Sequence, residues 1–513
     1  MIRKIRLASG FLTVGVWTML SKLLGFVRDI MIASAMGSGP VAQAFLIAFS
    51  LPNMFRRFFA EGAFNTAFVP MFSKKVEAGD NPRDFAREAI SGLASVVLLV
   101  VLLGQIFMPF LVFAMASGFA DDARFALSVD YGRIVFPYIL FISLAALLSG
   151  VLNAIGRFAA AAAAPVLLNI ILVLAMYLSG LMGWEIGTAL SWAVLLAGIA
   201  QMGLVWLAAR RAGITLLPRR PRFTPEMKRL AIIAFPAALA GGVVQVNLLV
   251  GRQIASYFDG AVAWISYADR LYQLPLGVVG IAIGVVLLPD LSRRLRAGDE
   301  AGGNYSLNRA AEFSLALTLP SAVALMVVPF ALVSVLFERG AFTEIDTEAT
   351  AWAVVIYGAG LPSFVLAKVL APLFFAREDT KTPFYFALVS MVINAGLAIG
   401  LSPFIGYLAA PVGTSVAAWS MLGLLWLGSR RFADASAMDA RLKSKFPKLI
   451  LASAIMGGAL FGAANVLEPW LFGSALRYVA LAGLVAIGVI VYAGATILTG
   501  ALRPSELKAM FRR

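Results

Sequence analysis

Apolar runs broken by short polar and basic segments recur along the whole chain. They cover residues 8–36, 41–72, 86–116, 126–155, 162–181, 184–209, 228–257, 261–289, 308–337, 348–375, 383–402, 406–429, 447–470 and 475–501. Each is longer than the roughly 18 apolar residues at which a helix can cross a bilayer. The pattern predicts an all-α, polytopic membrane protein of about fourteen transmembrane helices. Pro52 interrupts the second run and Pro383 opens the eleventh. One stretch breaks the apolar rule from inside: SKLLGFVRDI (21–30) places Lys22, Arg28 and Asp29 in the middle of the first run.

Composition agrees with the pattern. The 513 residues are 61% hydrophobic and only 13% charged, against about 25% charged in soluble domains. No segment is polar enough for a large soluble domain. The chain holds no Cys and no His, which removes disulfides, thiol chemistry, imidazole ligands and the commonest general base. No carboxylate cluster for a metal is evident, so no cofactor, metal or catalytic residue is expected, and the chain reads as a non-enzyme. The N-terminus has the basic start and apolar run of a signal peptide without a convincing cleavage site, so it reads as a retained first helix.

The net charge of +15 first raises nucleic acid. Its distribution favours membrane topology instead. With the N-terminus in the cytoplasm, 31 of the 42 basic residues fall in cytoplasmic segments, 3 in outer loops and 8 within spans. A miscounted helix would swap sides for every later loop and erase this asymmetry. The positive-inside rule therefore predicts both termini cytoplasmic and no nucleic-acid partner.

The chain also repeats itself. AFVPMFSKK (67–75) resembles VLLPDLSRR (286–294), and Pro52/Pro275, Pro137/Pro362, Pro165/Pro383 and Asn169/Asn394 recur at shifts of 218 to 225 residues. The matches predict two pseudo-symmetric six-helix lobes, 1–212 and 228–432. A basic, Pro-rich cytoplasmic linker, 213–227, joins them, and a two-helix appendage with a tail occupies 433–513. Six helices per lobe is an even number, so both lobes enter from one side, as in transporters built from parallel repeats.

Charges inside spans are the candidate chemistry, because each costs roughly 2.5–3.5 kcal/mol to insert. Lys22, Arg28, Arg56, Arg57, Arg252 and Arg270 are cationic; Asp29, Glu61 and Asp269 are anionic. They lie on the first two helices of each predicted lobe. Two bland readings compete. Arg56 and Arg57 could snorkel to a headgroup layer, and Asp269 with Arg270, Arg57 with Glu61, or Arg28 with an acid could pair for structure alone. If all nine share a cavity, the excess of cations calls for an anionic ligand. Arginine's planar fork favours phosphate. The acids would pair with and orient the cations.

The segments SKLLGFVRD (21–29), LPNMFRRFFAEGAFNTAFVP (51–70), YADRLYQLPLGVVGIAIGVVLLP (267–289), LFERGAF (336–342) and DTKTP (379–383) together resemble the MurJ (MviN) family, over nearly the whole chain. That family comprises lipid II flippases of the bacterial inner membrane, within the multidrug/oligosaccharidyl-lipid/polysaccharide exporter superfamily. The resemblance implies transfer of lipid II, an undecaprenyl-pyrophosphate disaccharide-pentapeptide, from the cytoplasmic to the periplasmic leaflet during peptidoglycan synthesis. The family's functional cations fall on Arg28, Arg56 and Arg270, with a further basic position on Lys22. Gln43 and Gln273 stand where other members often carry an acid, and 447–501 would form a groove for the polyprenyl tail. The expected partners are lipid II and membrane lipids, with the protein acting as a monomer. Flipping another undecaprenyl-pyrophosphate-linked oligosaccharide, or multidrug export, is the rival reading.

Overall fold

The computed structural model describes residues 7–56, 63–216, 219–222, 224–282, 287–472 and 475–501. Among them every predicted span falls on helix and no strand occurs. This is the outcome that hydrocarbon enforces, since a helix satisfies all its backbone groups internally. Nine helical segments among the described residues are long and apolar enough to cross a membrane, and one of them, 381–432, covers two predicted spans.

The chain divides into two compact units, Met1–Ala263 and Trp264–Arg513. The first contains α1 (Leu7–Met36), α2 (Pro40–Arg56), α3 (Ala63–Ala78), α4 (Pro82–Ile106), α5 (Met108–Met115), α6 (Ala123–Val135), α7 (Tyr138–Ala154), α8 (Ala159–Met182), α9 (Ile186–Arg211) and α10 (Pro225–Ala255). The second contains α11 (Ala261–Ala282, starting at the boundary), α12 (Leu288–Arg296), α13 (Glu300–Val327), α14 (Pro329–Phe337), α15 (Glu344–Phe375), α16 (Lys381–Ile405), α17 (Ala409–Ser429), α18 (Ala440–Leu471) and α19 (Arg477–Leu498).

Proline and caps explain where the helices break. Pro109 sits in the first turn of α5 and Pro137 immediately precedes α7, so the predicted spans 86–116 and 126–155 are each two helices in line. Proline is tolerated there because the first N–H groups of a helix have no intrahelical partner. Polar residues at the connections satisfy those orphan donors. Glu185 accepts from Gly187 and Thr188 at the start of α9, Thr343 and Asp346 form a capping box on α15, and Asp439 accepts from Leu442 on α18.

Large apolar side chains such as Leu174 and Leu181 on α8, Val392 and Ile399 on α16, and Val489 and Ile490 on α19 point outward. In water this would be a liability; here it is the surface that lipid covers. Inside each unit small residues allow close contact, as expected where hydrophobic driving force between helices is absent. A Cβ on Gly198 of α9 would lie 2.6 Å from the Tyr138 ring of α7.

The Pro-rich connector is more than a basic tether. Arg219 N donates to Ser91 Oγ at 2.8 Å, Thr224 Oγ1 donates to Glu88 Oε2 at 2.8 Å, and Lys75 pairs with Glu226 at 2.8 Å. These contacts dock it on α4 and on the end of α3.

In the second unit one carboxylate fastens α18 to α13. Glu312 is only 5% exposed. It accepts from Arg441 Nε and Nη2 at 3.0 and 2.9 Å and from Lys445 Nζ at 2.6 Å, and it also pairs with Arg309, which reaches Asp439 as well. From sequence these cations fall among the basic residues of cytoplasmic segments. Stripping a buried ion group of its counter-charge costs about 3–5 kcal/mol, whereas an exposed pair contributes about 0–1. Glu312→Ala is therefore expected to lower the thermal unfolding midpoint in detergent strongly. Arg441→Ala, whose side chain is 42% exposed, is expected to lower it slightly. Equal effects would contradict this account.

Candidate functional site

The charges of SKLLGFVRDI occupy two different settings on α1. Arg28 and Asp29 are each 7% exposed. Arg28 Nε and Nη2 donate to Asp29 Oδ1 at 3.0 and 2.7 Å, and Arg28 Nη1 donates to Asn169 Oδ1 on α8 at 2.9 Å. The guanidinium lies 5.9 Å from the centre of the Phe49 ring of α2. Three of its five N–H groups are engaged, and the other two have no partner among the described residues.

Lys22 lies one and a half turns away and is exposed. It lines a groove of about 500 Å3 with Thr18 and Ser21 of α1, Ser149 and Asn153 of α7 and Pro165 of α8. It is the one charged residue on that lining, and it has no ion pair among the described residues. A cation in a concave, hydroxyl- and amide-bearing wall is suited to an anion that also carries hydrogen-bonding groups.

The other predicted site residues are distributed as follows. Arg56 is half-buried, the last described residue of α2. Arg57 and Glu61 lie outside the described residues. Arg252 is half-buried in the last turn of α10, within the first unit. Asp269 and Arg270 are half-buried on α11 in the second unit, where Gln273, one turn on, donates to Asp269. Within the first unit, then, the structure brings Arg28 and Asp29 into one bonded network and leaves Lys22 in the groove.

Gln43 belongs to a second polar centre that sequence reading missed. It is 2% exposed, donates to the Ser38 carbonyl at 3.0 Å and accepts from Arg124 Nη1 at 3.2 Å. Arg124, counted from sequence as an outer-loop charge, is 7% exposed. It pairs with Asp122 at 2.5 Å and Asp259 at 3.0 Å, and its guanidinium lies 4.4 Å from the Phe119 ring centre. The same turn docks on the end of α10: Ser117 N donates to Gln253 Oε1 at 3.1 Å and Gly118 N donates to Ser256 Oγ at 3.0 Å. A Cβ on Gly118 would lie 2.5 Å from the Ser256 backbone, so only glycine fits this contact. The available signal was Asp122, an N-cap residue two positions before an arginine.

A family model for lipid II flippase MurJ matches residues 32–481. The chain belongs to the lipid II flippase MurJ family. It is 44% identical to a protein of Rhizobium meliloti (strain 1021) described as a probable lipid II flippase MurJ, over 99% of this chain and 96% of that one. It is 36% identical to the lipid II flippase MurJ of Burkholderia cenocepacia (strain ATCC BAA-245 / DSM 16553 / LMG 16656 / NCTC 13227 / J2315 / CF5610), over 82% and 83% of the two chains. A solved lipid II flippase MurJ in an inward closed conformation superposes with a TM-score of 0.79 at 25% identity, covering 94% of this chain and 98% of that one. An inward-facing multidrug resistance MATE transporter of the MOP superfamily shares the fold, with a TM-score of 0.69 at 13% identity, covering 84% and 100%. MurJ membership makes this a multi-pass membrane protein of a transporter family.

The Arg124 centre has a defined pH response. The Asp122 carboxyl is held below its ordinary range chiefly by hydrogen bonds from the Arg124 side chain, against burial that acts the other way. A carboxyl lowered in the folded state contributes fully above its ordinary value of about 3.9, and that contribution is lost as pH falls through the lowered value. Amide exchange over 117–125, corrected for intrinsic rate, is therefore expected to stay flat from about pH 7 to 5 and to rise only below about pH 4. Loss of protection near pH 6 would point to a different group.

Proposed function

We propose that this protein translocates lipid II from the cytoplasmic to the periplasmic leaflet of the bacterial inner membrane, by alternating access and without an enzymatic step. The observation that carries the reading is Arg28: a buried arginine in the first helix, oriented by Asp29 and Asn169, with two N–H groups that have no partner among the described residues. Family membership supplies the substrate class. The pyrophosphate of lipid II is the anion that such a fork, joined by Lys22, Arg56 and Arg270, would bind. Arg57 and Arg252 would add to its field, and Asp29, Glu61 and Asp269 would orient the cations.

In this reading the protein acts as a monomer with both termini cytoplasmic. Its two six-helix lobes, 1–212 and 228–432, rock about the bound headgroup, linked by 213–227. The polyprenyl tail stays in the membrane beside the appendage 433–513. The apolar faces of α18 and α19 that carry Ile455, Phe461, Val485 and Val489 outward are suited to a lipid tail.

Energy would come from the membrane potential. An anion moving out of a negative cytoplasm gains about 2.3 kcal/mol per charge per 100 mV. Dissipating the potential across vesicles loaded with lipid II is expected to slow flipping severalfold, and unchanged rates would rule the potential out as the driver.

The site is tested by complementation in a bacterium depleted of its own lipid II flippase, scoring surface-exposed lipid II. The wild-type gene is expected to restore exposure. Arg28→Ala, Arg56→Ala and Arg270→Ala, at matched expression, are each expected to reduce it roughly tenfold or more, as loss of a hydrogen bond to a charged group implies. Full activity in all three would leave the flippase but refute the site. Failure of a well-expressed wild type would favour another undecaprenyl-pyrophosphate-linked substrate.

A further inference from the structure

Asn169 sits in the middle of α8, 5% exposed, and spends both ends of its amide on α1. Oδ1 accepts from Arg28 Nη1 at 2.9 Å; Nδ2 donates to the Ser21 carbonyl at 2.9 Å. The orientation of the amide is forced. Turned over, it would set its NH2 against a guanidinium that can only donate, and its oxygen against a carbonyl that can only accept.

The two bonds land on the two places where α1 carries its cations. One fixes the Arg28 guanidinium directly, closing with Asp29 a two-sided hold that sets the plane of the fork. The other fixes the backbone at Ser21, and Ser21 and Lys22 both line the groove. An amide is also the right chemistry for the task. It orients a cation without cancelling its charge, whereas a second carboxylate beside Asp29 would leave Arg28 with nothing to offer an anion. Gly25 faces the same side chain, with an ideal Cβ position 3.5 Å from Asn169 Nδ2.

We infer that Asn169 is a positioning residue for anion capture: it holds Arg28 and the Ser21–Lys22 segment of α1 in register for the pyrophosphate of the substrate. This rests on the lipid II reading above and deepens it, because sequence alone marked Asn169 only as a landmark of the internal repeat.

The test is a double-mutant cycle on the full-length protein in lipid nanodiscs, with lipid II as the probe and its dissociation constant as the readout. Asn169→Ala is expected to weaken binding about tenfold, the size of one hydrogen bond to a charged group. In an Arg28→Ala background the further loss should be clearly smaller than tenfold, since the part of its action that runs through Arg28 is already gone. In an Arg56→Ala background the two losses should multiply. A purely structural Asn169 would multiply in both backgrounds, and that result overturns the inference, as does wild-type affinity in Asn169→Ala while Arg28→Ala binds weakly. Wild-type affinity in Arg28→Ala is a different failure: it removes Arg28 from the site and the parent reading with it. Should Asn169→Ala fail to fold, Asn169→Asp decides. It keeps the size and the acceptor, loses the donor to Ser21 and cancels the charge of Arg28, so binding should fall at least tenfold; unchanged affinity overturns the inference.

Discussion

A cation in hydrocarbon must be given partners or be lost, and Arg28 is where this protein meets that constraint. An arginine buried at mid-helix is tolerable only where counter-charge and hydrogen bonds replace water. Asp29 supplies the charge and Asn169 the neutral bond. The arrangement stops short of saturation, because two guanidinium N–H groups have no partner among the described residues. A fully satisfied arginine would stabilise the fold and bind nothing. An unsatisfied one would not stay buried. Under the proposed function, a fork held this way is oriented before the pyrophosphate arrives, which lowers the cost of binding.

The same physics is used differently elsewhere. Around Glu312 three cations converge on one buried carboxylate, and the balance is nearly closed by Asp439, which accepts from Arg309. That centre fastens α18 to α13. Around Arg124 the proportions reverse: one arginine takes two carboxylates, an amide and an aromatic ring, and it ties the turn before α6 to α2 and to the segment after α10. Arg28 differs from both in having one carboxylate and one neutral amide as its acceptors among the described residues. Charge counting along the chain cannot see these differences.

Much of the fold was legible in the sequence. Backbone groups in lipid have to bond within their own helix, so hydropathy alone locates the spans, and each coincides with helix among the described residues. Helix breaks were less legible. Pro109 and Pro137 lie inside apolar runs, yet each marks the start of a new helix. A proline in an apolar run can kink a helix or begin one, and the choice depends on what covers the freed carbonyls.

What the sequence determined by itself was everything dictated by transfer into lipid: an all-helical, many-span chain with candidate intramembrane cations at 22, 28, 56, 57, 252 and 270. It also carried the family motifs. What only the tertiary structure decided was pairing. Asn169 meets Arg28 across 141 residues, Gln43 meets Arg124 across 81, and Lys445 meets Glu312 across 133. The reason is physical. Hydropathy is a sum over neighbours in the chain, but whether a buried charge binds, fastens or merely pairs depends on which distant helix delivers the last acceptor.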